Sequence, residues 1–265
     1  MRDLHRHKKR RTICAVIAVI CAIILAWCVF TATSEIVKYN NGIKLYDSLR
    51  RDLSRVSPSD SNSPETSDSI AIDYSLGVEY LRGLYSDTYA YIVIDGTDVS
   101  YPVMRAKNNE FYLNRAYTGE YSPIGSVFAD HRCKDRPEDN YNTVLYAHNL
   151  AYGGMFHAVE EMCRDRELFE NALVRLYTAD CEYVYKLVAV YETVSDGDYF
   201  ETEFADGAEF AGFKDSVISK SAHKTDTQDT DGVMLTLSTC TNRQQSGRYA
   251  LHAILVERET CDDEA

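Results

Sequence analysis

Residues 12–33 read TICAVIAVICAIILAWCVFTAT, 22 positions without a charge, and no other feature constrains this chain as much. As a helix the run would be about 33 Å long at 1.5 Å per residue, enough to cross the hydrocarbon core of a bilayer. Arg2, Arg6, Lys8, Lys9, Arg10 and Arg11 precede it with only Asp3 among them, and Glu35 follows it. Basic residues stay on the cytoplasmic side, so the amino end is expected inside and everything after about residue 34 outside. Trp27 and Phe30 fall near the outer end, where aromatic rings favour the interface. A cleaved signal peptide is the rival reading, with Thr31-Ala32-Thr33 as its processing site. Its apolar stretch would be only about 7–15 residues, so the run is too long. Cys14, Cys21 and Cys28 recur every seven residues on one helical stripe, as small apolar residues in lipid would.

The charge divides at the same place. The formal net charge is −13, and the +5 of residues 1–11 leaves −18 on the rest. An acidic body cannot neutralise phosphates, so a nucleic-acid partner is not expected. Five cysteines, Cys133, Cys163, Cys181, Cys240 and Cys261, fall on the outer side. Disulfides are permitted there, and an odd count leaves at least one thiol free, a candidate for chemistry.

Ile36, Ile43, Tyr46, Leu49, Leu53 and Val56 continue at helical spacing as a stalk. Residues 54–69, SRVSPSDSNSPETSDS, carry no apolar period and read as a linker. A short helix is expected over 72–84. Strands then follow at 89–95 and 99–104, joined by an Asp95-Gly96 turn, and at 125–130, 143–148, 171–178, 183–194, 232–239 and 248–257. Helices at 155–169 and 204–220 interrupt them. Many short strands with two inserted helices predict a closed β-barrel with helical decoration. Residues 258–265 read as a frayed acidic tail.

Metal-ligand spacing and glycine-rich phosphate loops are absent from the sequence, so neither a metal nor a cofactor is expected. Cys240 ends the apolar strand LTLSTC and precedes the polar loop TNRQQSG, with Arg243 and Arg248 close behind. A guanidinium favours the thiolate and can hold a developing oxyanion. His148 ends TVLYAH ahead of Asn149 and the Gly153-Gly154 turn, a position suited to an acid or base. His131 stands near a loop, His157 in a helix, His223 in a polar loop and His252 in a terminal strand; these read as structural or solvent-facing. Cys, His and Arg on separate strand ends can converge at a barrel mouth, and the trio suits acyl transfer.

These motifs resemble the sortases, cysteine transpeptidases of Gram-positive envelopes, and within them class B. The TLxTC signature stands as Thr236-Leu237-Ser238-Thr239-Cys240. The histidine motif stands as Tyr146-Ala147-His148-Asn149, followed by Met155-Phe156, with Ala147 where the family usually has Gly. YPVM at 101–104, NNEFYLN at 108–114, GSVFADHR at 125–132 and EFAGFKDSVISKSA at 209–222 also look like class B sequence. The resemblance covers about residues 70–257. It implies an eight-stranded sortase barrel with N-terminal helices and a helix between strands six and seven. It implies Cys240 as nucleophile, His148 as acid/base, and Arg248 as oxyanion or substrate clamp, with Arg243 as the rival for that role. Asn149, Ser238, Thr239 and Thr241 beside these motifs are expected to contact substrate.

The expected organisation is a cytoplasmic tail (1–11), an anchor (12–33), a helical stalk and linker (34–70), a catalytic domain (71–258) and an acidic tail (259–265). The expected activity is cleavage of a C-terminal sorting signal on surface proteins or pilins through a thioacyl intermediate. The acyl group then passes to an amine of the peptidoglycan cross-bridge or of a pilin lysine. A hydrolytic cysteine protease with the same Cys/His pair is the alternative. The late, strand-end Cys argues against a papain-like one, whose Cys comes early. A non-catalytic adhesion domain, with Cys240 in a disulfide, is a third.

Overall fold

The computed structural model describes residues 2–56, 72–150, 153–224, 231–241 and 246–260. The expected linker after residue 56, Arg243 and Cys261 lie outside them. Helix α1 (Arg2–Val56) runs unbroken, so stalk and apolar run are one element. By length and composition it holds a candidate membrane span, whose most apolar stretch is not buried against the protein. Of the stalk stripe, Tyr46, Leu49 and Leu53 are buried, whereas Ile36 and Ile43 stay exposed; the stripe begins to work only where the helix meets the barrel. Helix α2 (Tyr74–Leu84) starts where Asp73 caps it, its carboxylate accepting from Leu76 N at 3.0 Å.

Eight strands follow: β1 (Thr88–Ile94), β2 (Ser100–Met104), β3 (Val127–Ala129), β4 (Asn142–Tyr146), β5 (Leu173–Tyr177), β6 (Cys181–Val194), β7 (Met234–Cys240) and β8 (Gly247–Thr260). They close in the order β1-β2-β3-β4-β7-β8-β6-β5. This is the eight-stranded closed barrel expected from the sequence. Pairing is antiparallel except for β2 with β3 and β4 with β7. The expected helix at 155–169 is two helices, α3 (His157–Arg164) and α4 (Arg166–Asn171). Asp165 divides them, ending α3 and capping α4 through a 3.1 Å bond from Leu168 N, as a short carboxylate does better than it continues a helix. Helix α5 (Gly207–Ser219) lies between β6 and β7 and starts on Asp206, which accepts from Ala208 N and Glu209 N. Strand β8 runs to Thr260, opposite Cys181, so the first residues of the expected frayed tail are paired instead.

Two apolar clusters result from the alternation of strand side chains. Leu235 and Leu237 of β7 join the large cluster inside the barrel. Met234, of opposite parity, joins Ala250, Ile254, Tyr191, Tyr199, Phe210 and Val217 in a second cluster between the outer wall and α5. Thr236, Ser238 and Cys240 share the parity of Met234, and Arg248 and His252 that of Ala250. The outer row therefore runs beneath α5 and ends at Cys240 and Arg248.

Candidate active site

Register alone brings the three expected catalytic residues together. β4 and β7 are parallel with Tyr146 beside Ser238, so two residues further on His148 comes level with Cys240. β7 and β8 are antiparallel with Cys240 opposite Arg248. β4 itself ends at Tyr146, which leaves His148 just beyond the strand rather than in it. All three line one cavity of about 280 Å³, with Leu113, Tyr199 and Phe200 among its apolar walls. Each is partly exposed.

His148 is held from the far side. Its Nε2 lies 2.7 Å from Leu113 O, and a carbonyl only accepts, so Nε2 carries hydrogen. Nδ1 is then the nitrogen that can take up and release a proton. The support is tight: Gly125 has φ +61°, and a Cβ there would lie 2.5 Å from Leu113 O and 3.1 Å from His148 Cδ2. Only glycine fits.

Asn149 points the other way from its neighbour. It is buried, and its Nδ2 donates to Cys240 O at 3.1 Å and to Glu160 Oε2. Its Oδ1 accepts from His157 Nδ1 at 2.8 Å. One amide thus joins the histidine segment, the Cys240 carbonyl and the start of α3. Glu160 also pairs with Arg164. Burial raises the Glu160 pKa, but the Asn149 bond and Arg164 outweigh it and hold the carboxylate below its ordinary range. Neither Asn149 nor Thr241 lines the cavity. Ser238 and Thr239 do, but their hydroxyls are engaged: Ser238 Oγ with Tyr199 OH at 2.9 Å, and Thr239 Oγ1 donating to Ala147 O at 2.8 Å. Thr241 N donates to Gly247 O at 2.9 Å. Of the four residues expected to contact substrate, Ser238 and Thr239 thus reach the cavity and Asn149 and Thr241 lie behind it.

Under the cavity wall sits Asp130, fully buried. Arg132 Nε and Nη2 each bond it at 2.9 Å, and Tyr146 OH and Asn109 Nδ2 do so at 2.9 Å. Burial pushes this carboxyl up, yet Arg132 and Tyr146 overcome it and hold its pKa down to about 2. The bonds from Asn109 and Tyr146 to Asp130, and the placing of Tyr199 and Phe200 in the cavity wall, were not legible in the sequence, because each joins elements distant in the chain.

The other candidates lie apart from the cavity. His131 Nδ1 contacts Asn109 Oδ1 at 3.3 Å and is exposed; His223 Nε2 donates to Met162 O at 2.9 Å. His252 is fully buried. Burial pushes its pKa down to about 3, with Lys220 adding to the effect. Among the described residues none of Cys21, Cys28, Cys133, Cys163, Cys181 and Cys240 is in a disulfide. Burial pushes the Cys133 thiol up to about 11, which makes it a poor nucleophile.

Comparison with known proteins agrees with this fold. A family model described as the sortase domain matches residues 92–256. A sortase B of Listeria monocytogenes is 29% identical over 181 residues, 67% of this chain and 73% of that protein. A sortase B of Staphylococcus aureus is 29% identical over 164 residues, 61% of this chain and 66% of that protein. The structure of a Bacillus anthracis sortase B in complex with AAEK1 superposes with TM-score 0.63 at 30% identity, covering 80% of this chain and 98% of that one. A Staphylococcus aureus sortase B–substrate complex superposes with TM-score 0.64 at 26% identity, covering 68% and 85%.

Proposed function

The chain belongs to the sortase family as a class B cysteine transpeptidase, and on that premise we propose that Cys240, His148 and Arg248 carry its chemistry. The observation that supports this is their convergence on one cavity from three adjacent strands. The thiolate of Cys240 attacks a backbone carbonyl, that of a Thr, within a C-terminal sorting signal. Arg248 offers guanidinium donors to the oxyanion that forms. The C–N bond then breaks, and the leaving amine takes a proton from Nδ1 of the His148 imidazolium. A second amine attacks the thioester, gives its proton back to His148 Nδ1, and the thiolate departs.

The signal is carried by surface proteins or pilins, and the second amine belongs to a peptidoglycan cross-bridge or a pilin lysine. Leu113, Phe128, Tyr199 and Phe200 give the cavity an apolar lining suited to an extended peptide. Residues 12–33 anchor the protein in the cell membrane, amino end inside and barrel outside, as the basic cluster at 1–11 favours. The organisation is tail, anchor, stalk and linker to about residue 70, then the catalytic domain to 258. Incubating the protein with sorting peptides and following mass tests the chemistry. A thioacyl adduct is expected on the native chain and none on Cys240→Ala; turnover unchanged in that variant would refute the assignment. Adding a candidate amine should replace hydrolysed product with ligated product.

A further inference from the structure

The stalk end of α1 is clamped to the barrel. Gly42 stands so close that a Cβ would lie 2.8 Å from Ile124 Cγ1 and 3.0 Å from Ser122 Oγ. Tyr46 OH donates to Gly125 O at 2.8 Å and lies 2.9 Å from Ser126 Oγ. Its ring packs on Tyr101 and Tyr117 with centroids 5.4 and 5.5 Å away. Arg50 Nε donates to Ser100 O at 3.2 Å, and Leu49 and Leu53 are buried. Rotation or sliding of the helix would break all of these at once, so α1 fixes the height and tilt of the barrel.

That height can be read from Lys38. Its Nζ lies 5.8 Å from the ring centre of Tyr121. Lys38 is five residues beyond Thr33, the end of the charge-free run, or about 7.5 Å along the axis. The polar layer outside a hydrocarbon core is roughly 5–8 Å deep. Tyr121 thus sits at headgroup level. It is 62% exposed and is held by a tight hairpin: Arg115 bridges to Tyr121, and Ala116 N donates to Glu120 O at 2.9 Å. Arg115 lies over the Phe111 ring at 4.8 Å, and Phe111 is itself exposed. An exposed tyrosine with basic neighbours at this level has the composition of an interfacial belt.

We infer that the hairpin 115–121 is a lipid-contacting surface that seats in the headgroup layer beside α1. This rests on the reading of residues 12–33 as an anchor. It deepens the proposed function, because the segment that carries the hairpin also reaches the site. Leu113 O accepts from His148, and Gly125 packs on the same ring. The cavity mouth is then held near the bilayer, where a sorting signal would be met as it leaves the membrane.

Trp27 is the only tryptophan in the sequence, which separates the two readings. The full chain is reconstituted in phosphatidylcholine–phosphatidylglycerol vesicles carrying lipids brominated at shallow or deep acyl positions. Native Trp27 emission should be quenched; if it is not, the anchor reading fails and the inference with it. In a Trp27→Phe, Tyr121→Trp double variant, shallow bromines should quench at least about twofold more than deep ones, as at an interface. Gly42→Leu in that background should abolish the quenching by wedging the helix away. Quenched Trp27 together with an unquenched, solvent-like Trp at position 121 would overturn the inference while leaving the anchor intact.

Discussion

Asn149 is one amide doing what is usually spread over several groups. It follows the proposed base and bonds the carbonyl of the proposed nucleophile, while His157 and Glu160 saturate its other positions. Asn149→Ala removes the tie without touching a reacting atom. We expect the rate of thioacyl formation to fall by about tenfold or more, with KM little changed, since misplacement of reacting groups acts mainly on the chemical step. Single-turnover mass spectrometry with a sorting peptide checks it; an unchanged rate would leave the amide a bystander. Cys240 and His148 were legible as candidates because each stands at or just past the end of an apolar strand, before a loop. The role of Asn149 was not, because a side chain's direction past a strand end depends on where α3 docks. The same holds for His252. Thr236 Oγ1 donates to Asn142 Oδ1 at 2.8 Å, so His252 Nδ1 must donate to it at 2.9 Å. Tyr191 OH then donates to Nε2 at 3.1 Å, which fixes one tautomer in the wall.

Among the elements, the 111–126 segment carries more than its irregular outline suggests. Replacing Gly125 by Ala forces a side chain into left-handed backbone against Leu113 O. A cost of about 2 kcal/mol or more is expected, with transpeptidation reduced because the His148 support shifts. Chemical denaturation and turnover, measured together, check it. The stalk makes a parallel case: Leu53 is completely buried, and Leu53→Ala should cost roughly 2–5 kcal/mol. An unchanged denaturation midpoint of the full chain in detergent would mean that α1 is only a tether. The strands were legible from their alternation and turn residues, and α5 from its aligned Phe210, Phe213 and Val217. The break at Asp165 was missed because the apolar period continues through it. The half-used stalk stripe was misjudged because period shows which face is apolar, not how far along a partner extends.

For the whole molecule, acid is the informative stress. His252 has its folded pKa near 3, below the ordinary 6.5. Between those values the unfolded chain binds a proton that the folded chain refuses, so stability falls as pH drops from about 6.5 towards 3. Asp130 acts lower down: its folded pKa near 2 is below the ordinary 3.8, so its contribution is complete above 3.8 and is lost as pH falls through 2. Denaturation midpoints measured from pH 8 to pH 3 should decline first below about 6.5. His252→Gln should flatten that decline, and a native profile flat down to pH 4 would contradict it.

The parallel pairing of β4 with β7 has a consequence in time. The chain is made from its amino end, and β4 waits beside an empty place while β5, β6 and α5 are laid down. His148 and its support can be in position early, but the proposed nucleophile Cys240 and the guanidinium of Arg248 arrive with β7 and β8. Topologies closed by such distant partners form late, after their local contacts. A nascent chain of this design lacks the proposed thiol site until β7 and β8 have been made, so that site and the closed barrel come into being in the same step.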